Sequence, residues 1–359
     1  MHLNSDSSTV AAEASALRPV FVIGAGSVVR EAHLPAYARL GVPVAGIFDL
    51  DAGRMQAACG QSGARCFGGL DALLDACSRE RGVLDIAVPP HALGAVLAQV
   101  PEGSRVLLQK PLGSTLDEAT ALVAAARRRS LVAAVNFQLR HAPAVRALRS
   151  LVASGAIGAP LDLEVRVVCR MPWEKWAFLE GMPRMEVLMH SIHYLDLARA
   201  LLGEPARVWC VTARHPAAPR MAEKRSTVAM TFGAERRAVV TTYHHHDAPP
   251  RHEASHLRIE GTDGTAVVRL GVNLDYPRGR RDTVEWSRGG GAWTEVPVDG
   301  DWFPDAFGLA MLALQRHEAR SGARLESDLA DAWRTMALVE TCYKSADGGE
   351  TVPPPPAEP

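Results

Sequence analysis

The stretch Pro19-Val20-Phe21-Val22-Ile23-Gly24-Ala25-Gly26-Ser27-Val28-Val29-Arg30 constrains this chain more than any other. Four apolar residues, rich in β-branching, run into a Gly-x-Gly turn, and helix-like sequence follows from Ser27 to about Leu40. Uninterrupted apolarity suits a strand of a parallel sheet, whose two faces are both covered by helices. The two glycines let the backbone turn tightly and approach a pyrophosphate, which the N-terminus of the next helix attracts. The third glycine of the usual fingerprint is here Val29. Alone, the turn also reads as an ordinary strand-to-helix connection, so its context decides.

That context is a regular alternation as far as Asn136. Val42 to Phe48 reads as a second strand ending in Asp49-Leu50-Asp51, and Ala52 to about Gly60 as a helix. Leu70 to Arg81 is helical, and Leu84 to Val88 is a strand halted by Pro89-Pro90. His91 to Val100 is a helix, Arg105 to Gln109 a strand running into Lys110-Pro111, Asp117 to Arg129 a helix and Leu131 to Asn136 a strand. Such spacing predicts an α/β Rossmann-type, doubly wound parallel sheet over residues 18–136. Asp49 lies 23 residues beyond Gly26, where a carboxylate at the end of the second strand accepts hydrogen bonds from a ribose. It repels a 2′-phosphate, and Leu50 offers no cation to hold one, so NAD is favoured over NADP. The competing reading of Asp49 is a plain helix cap.

After Asn136 the pattern changes. A helix from Pro143 to Ser154 and a turn over Gly155-Ala156-Ile157-Gly158 precede strands at Leu161–Val168, Ala206–Ala213, Ser226–Phe232, Arg237–His245 and Leu257–Glu260. A hairpin turn over Gly261–Thr265 leads to Ala266–Leu270, and Asp305–Ala319 and Ser327–Ser345 read as closing helices. Residues 137–347 are therefore expected to form an α+β substrate-binding and oligomerisation domain with a mainly antiparallel, open-faced sheet. Residues 1–17 read as a flexible tail and 348–359 as a Pro-rich tail. Strands such as Arg237–Tyr243 alternate less cleanly than solvated ones, so a homo-oligomer, dimer or tetramer, is expected through the open face.

Composition excludes several classes. A formal net charge of −1 gives no footprint for nucleic acid. No apolar run approaches the ~18 residues of a membrane span, and no secretory signal opens the chain, so a cytoplasmic protein is expected. The six cysteines are scattered without a Cys-x-x-Cys pair, which argues for reduced thiols rather than a disulfide framework or zinc ribbon.

Several ordered pieces carry a family resemblance. Gly24-Ala25-Gly26 is followed by Ala32-His33-Leu34-Pro35; then come Val88-Pro89-Pro90-His91, Gln109-Lys110-Pro111, His193-Tyr194-Leu195-Asp196 and Ser345-Ala346-Asp347-Gly348-Gly349. Between about Arg18 and Val352 the chain resembles the glucose-fructose oxidoreductase/inositol 2-dehydrogenase/rhizopine catabolism (Gfo/Idh/MocA) family. The resemblance implies an NAD(P)-dependent oxidoreductase, NAD favoured, acting on a carbinol or hemiacetal of a sugar, polyol or inositol. It implies cofactor contacts at Gly24, Gly26, Ser27, Val28 and Asp49, and further ones at Pro89, His91, Gln109 and Lys110. Lys110 and His193 take the catalytic roles, the histidine accepting the carbinol proton and the lysine sharing it. Imidazole suits that work because its pKa lies near the working pH.

Two departures follow. Gln109 stands where the family has glutamate, which removes a charge and is expected to ease deprotonation of Lys110. Met189 stands where inositol-type members have an aspartate, leaving His190 or Glu186 as substitutes. Read as a regular helix, Glu186, His190 and His193 share one face. The same three, with His244-His245-His246-Asp247, also suit a divalent metal in a metal-dependent hydrolase or isomerase, although no resident metal is assigned. A cofactor-binding regulator without turnover is a third reading. Trp173 and Trp176, beside Glu174 and Lys175, suit stacking on sugar faces or a plain hydrophobic plug. Arg140 and Asn136, near the last strand of the first unit, are further candidates to reach substrate.

Overall fold

The computed structural model of the protein describes residues 17–317, 324–348 and 353. The expected tails, apart from Leu17, Gly348 and Pro353, and the last two residues of the expected helix to Ala319 lie outside the described residues.

The first sheet is parallel and six-stranded, in the order β3-β2-β1-β4-β5-β6. Its strands are β1 (Val20–Ile23), β2 (Val44–Phe48), β3 (Arg65–Cys66), β4 (Val83–Ile86), β5 (Arg105–Leu108) and β6 (Val132–Val135). The four residues of β1 are all buried, as their apolar run requires. Between the strands lie α1 (Leu34–Arg39), α2 (Ala52–Ser62), α3 (Leu70–Arg79), α4 (Leu93–Leu97) and α5 (Leu116–Arg128). This is the doubly wound arrangement the alternation predicted. The expected His91–Val100 helix is shorter, because a tight 3-10 turn over Pro90–Ala92 precedes α4.

The second sheet is eight-stranded, in the order β14-β13-β12-β11-β7-β10-β9-β8. It contains β7 (Pro160–Val168), β8 (Arg207–Ala213), β9 (Arg225–Phe232), β10 (Arg236–Tyr243), β11 (Ala254–Gly261), β12 (Gly264–Arg269), β13 (Thr283–Arg288) and β14 (Thr294–Glu295). Every pairing is antiparallel except β7 with β10. One face is packed by α6 (Pro143–Ala153), α7 (Ile192–Leu202) and α9 (Leu329–Gly348). The other carries Asp162, Glu164, Arg166, Arg237, Thr241 and Arg258. Burial alternates along β9 and β10, so the alternation is cleaner than expected. β10 also stops two residues short of the expected His245, since the histidine run leaves the ladder.

The closing helices return to the first unit. α8 (Asp305–Arg316) packs on α1, where a Cβ at Gly308 would meet Leu40 Cδ1 at 2.6 Å and Ala36 Cβ at 3.2 Å. Asp328, just before α9, bridges to Ala134 of β6, and Trp333 donates to Thr120 of α5 at 2.9 Å.

The cysteine expectation is corrected. Cys59 and Cys66 form a disulfide across a seven-residue separation, with Cα atoms 6.0 Å apart. The end of α2 and the short β3 bring them together, a proximity that spacing alone does not reveal. Cys77, Cys169, Cys210 and Cys342 are buried thiols. No helix among the described residues is long and apolar enough to cross a membrane.

Candidate active site

The glycine turn sits at the carboxyl end of β1, between β2 and β4, where open parallel sheets bind ligands. Gly24 is required twice over: its φ is +100°, and a Cβ there would lie 2.4 Å from the Ala87 carbonyl oxygen. A Cβ at Gly26 would meet nothing within 4 Å, so the absent side chain leaves backbone open to a close ligand. Ser27 and Val28 follow at half-buried positions. Val29 is buried against Val20, Val22 and Ala25, and the first helical turn, Val29–His33, is wound wide as a π-turn. Asp49 accepts from Ala25 N–H at 2.6 Å and from Asp51 N–H at 2.8 Å, which ties the glycine turn to the end of β2. The cap of α2 is Asp51, not Asp49. The turn and the acid therefore fit a dinucleotide.

Lys110 follows β5 at the same sheet edge. Its ammonium crosses to the second unit and donates to the Met189 carbonyl at 2.6 Å. Burial draws its pKa from 10.5 to about 8. Gln109 plays a different part from the one expected. Its Oε1 accepts from the Lys110 backbone N–H at 2.8 Å and its Nε2 faces His33 Nε2 at 3.2 Å, so its amide does not face the ammonium. Pro89 is half-buried and His91 exposed along the same edge. Asn136 holds the Leu108 carbonyl at 2.7 Å through its backbone N–H, and its fully buried side-chain amide has no hydrogen-bond partner.

The helix facing Lys110 is not regular. Val187–Ser191 is a π-turn running into α7, and across it Glu186 stays close to His190, with candidate ligand atoms within 4.8 Å. Glu186 is fully buried; its Oε1 accepts from Ser191 Oγ at 3.0 Å and its Oε2 pairs with His244 Nδ1 at 2.7 Å. The His244 ring lies 3.9 Å from that of His190, centroid to centroid, and Trp173 meets both rings edge-on. His193 meets Trp302 edge-on at 5.7 Å. Burial first, and then the Lys110 charge, holds His193 well below the usual histidine range, so it stands neutral with an available lone pair. His190 is held low by burial, His244, His193 and Lys110 in that order. His190 Nδ1, His193 Nδ1, His244 Nε2 and the indole N–H groups of Trp173 and Trp302 are buried without partners. Unpaired buried groups gathered this way can form hydrogen bonds to a hydroxylated ligand.

Two candidates are placed elsewhere. Arg140 grips Asp196 through Nε and Nη2, each at 2.6 Å, and Asp331 through Nη1 at 2.8 Å. Its donors serve a buried lock between the 138–141 turn, α7 and α9, not a substrate. The expected metal trio also changes: Glu186, His190 and His244 converge, with candidate ligand atoms within 4.8 Å of one another, while His193 does not join them. His245 turns the other way, toward Lys224 and Asp247. Trp176 stacks between Trp173 and Tyr276 rather than beside the histidines. Tyr276, Trp302 and His244 as a single residue escape the sequence reading, because the first two lie in irregular segments and the third in a run of three.

A dinucleotide cradle joined to a buried Lys–His pocket defines an oxidoreductase. Residues 18–137 match the model of an oxidoreductase family with an NAD-binding Rossmann fold, and residues 145–267 match the GFO/IDH/MocA C-terminal domain. D-apiose dehydrogenase of Paraburkholderia graminis is 30% identical over 346 residues, covering 92% of this chain and 88% of that protein. An oxidoreductase from Agrobacterium radiobacter, solved with NAD+, L-tartaric acid and magnesium, superposes with a TM-score of 0.76 at 23% identity, over 93% of this chain and 98% of that one. Aldose-aldose oxidoreductase from Caulobacter crescentus, complexed with glycerol, gives 0.78 at 16% identity, over 93% and 99%. The chain belongs to the Gfo/Idh/MocA family and is a sugar-type oxidoreductase. Membership does not favour the metal-dependent hydrolase reading.

Proposed function

We propose that the protein oxidises a carbinol or hemiacetal of an aldose or polyol using NAD, with Lys110 and His193 handling the hydroxyl proton. The observation that carries this is the Lys110 ammonium spanning from the end of β5 to Met189, in the turn that leads into His193. NAD held by its pyrophosphate at the glycine turn would supply the hydride acceptor, its nicotinamide. Neutral His193 accepts the proton as the carbinol is oxidised, and Lys110 holds the hydroxyl oxygen and shares that proton. His190, backed by the His244–Glu186 pair, takes the ground left by Met189 and orients the substrate. Trp173 supplies an apolar wall with an N–H to spare, which suits a sugar face.

Asp49 supports NAD over NADP, because a carboxylate at the end of β2 would repel a 2′-phosphate and Leu50 beside it, 95% exposed, offers no cation to hold one. Asp49→Ser is expected to lower kcat/KM for NAD by about tenfold while leaving that for NADP equal or higher. The division near residue 136 and self-association through the open sheet face belong to the same proposal. Trp209 and Val211, 51% and 48% exposed on β8, support a covered face there. The function is tested by mixing purified protein with NAD or NADP against D-apiose, other aldoses, inositols and sugar acids. Reduction of NAD by at least one aldose or polyol is expected, and no reduction with any of them overturns the reading.

A further inference from the structure

We propose that Asp85 is a positioning residue for Lys110, acting from inside the nucleotide-binding sheet through His33 and Gln109. Asp85 lies in β4, hydrogen-bonded on both sides by β1 and β5, and is 0% exposed. A carboxylate there is costly unless its hydrogen bonds have a purpose. His33 Nδ1 lies 2.7 Å from Asp85 Oδ2, and Tyr37 donates its hydroxyl to the same oxygen at 2.6 Å. Burial and the neighbouring acid keep Tyr37 protonated, so it remains a donor. His33 packs against Tyr37 and Phe307, with centroids 6.0 and 5.0 Å away, which fixes its ring.

The direction of every bond in this chain is set from its two ends. The Lys110 backbone N–H can only donate, so Gln109 must present Oε1 to it and Nε2–H to His33. His33 Nε2 must then accept, which leaves its Nδ1–H to donate to Asp85. Asp85, His33, Gln109 and the Lys110 peptide form one polarised row, and the carboxylate at its inner end selects the tautomer that keeps it together. A glutamate in place of Gln109 is accommodated only by a second proton on His33, which then donates from both ring nitrogens. Moving the charge outward, with Asp85→Asn and Gln109→Glu together, reverses the row. The carboxylate now at the outer end accepts from both the Lys110 N–H and His33 Nε2–H, and the amide now at the inner end donates to His33 Nδ1. The native pair and the swapped pair each hold His33 neutral, whereas Gln109→Glu alone requires it doubly protonated between two carboxylates.

The inference rests on the reading that Lys110 handles the proton, and a charge-swap cycle separates the two. NAD affinity is measured with NAD alone, and turnover with the sugar that reduces NAD in the screen above. Asp85→Asn is expected to lower kcat about tenfold, with NAD affinity within about twofold of wild type. Adding Gln109→Glu to it is expected to recover kcat to within about threefold of wild type. A further loss in the double variant, or an unchanged kcat in Asp85→Asn, overturns the relay. Should Asp85→Asn not fold, the histidine spectrum of the wild type carries the test. Lys110→Met that retains full turnover overturns the catalytic reading instead. The 15N spectrum of the histidine rings needs no substrate: His33, assigned by its loss in His33→Gln, is expected as the Nδ1–H tautomer in the wild type and as Nε2–H in the double variant. An Nε2–H tautomer in the wild type overturns the proposal.

Discussion

Lys110 carries its ammonium out of water onto the Met189 carbonyl, and that burial brings its pKa to about 8. A lysine lowered in this way is protonated below that pH and gives up its proton as pH rises through it. Lys110 shares the carbinol proton only when its own lone pair is free, so kcat/KM for sugar oxidation is expected to rise through an apparent pKa of about 8. Lys110→Met should abolish that limb and lower kcat by about 10²–10⁴-fold; a limb unchanged in the variant would contradict the assignment. The same scale separates Arg140 from catalysis. Asp196 is 1% exposed, and Arg140→Met removes the guanidinium that neutralises it. The expected loss is about 3–5 kcal/mol, or roughly 10 °C in Tm by calorimetry, with per-molecule turnover of the folded fraction near wild type. Turnover lost at full stability would instead restore Arg140 as a substrate residue.

Elements that depend on local pattern are legible in the sequence. The apolar run of β1, the demand for glycine at 24 and the placement of Asp49 beside the turn all follow from a few adjacent residues. Motif and order single out Lys110 and His193, and the fold brings both to one pocket. What stays hidden depends on register or on distant partners. The π-turn at Val187–Ser191 carries no composition that distinguishes it from a regular turn, and nothing local reveals that His244, rather than His193, joins Glu186 and His190. β13 reads Thr-Val-Glu-Trp-Ser-Arg, with one fully buried apolar residue, Val284, and it becomes a strand because β12 offers it a ladder. The partners of Arg140 stand 56 and 191 positions along the chain, beyond any local pattern. Asp85 looks like an ordinary polar interruption of a strand until His33 and Tyr37 are placed over it.

Across the whole molecule, the two sheets are joined at the pocket by more than Lys110. Trp173, Trp176, Tyr276, Phe303 and Phe307 form a row of ring contacts that reaches His33, while Tyr276 donates to Glu31 at 2.9 Å and Lys175 lies 3.5 Å from the same carboxylate. The loop that walls the substrate side is thereby fastened to the helix that begins at the glycine turn. Trp209 and Val211 lie exposed on the edge strand β8 of the second sheet, while paired charges such as Arg258 with Glu164 and Arg269 with Glu285 lie on strands further across it. Light scattering on the purified protein is expected to give the mass of a dimer or tetramer, and Trp209→Glu to lower it; a monomeric wild type contradicts a covered face. The central claim is that a dinucleotide cradle and a buried Lys–His pocket act together on a sugar hydroxyl. Its most direct measurement is the appearance of NADH when NAD and D-apiose or another aldose from the panel are added to wild type and to Lys110→Met. NADH is expected from the wild type and almost none from the variant, with NAD still bound by both; equal NADH from the two proteins would overturn the joint action of the cradle and the Lys–His pair.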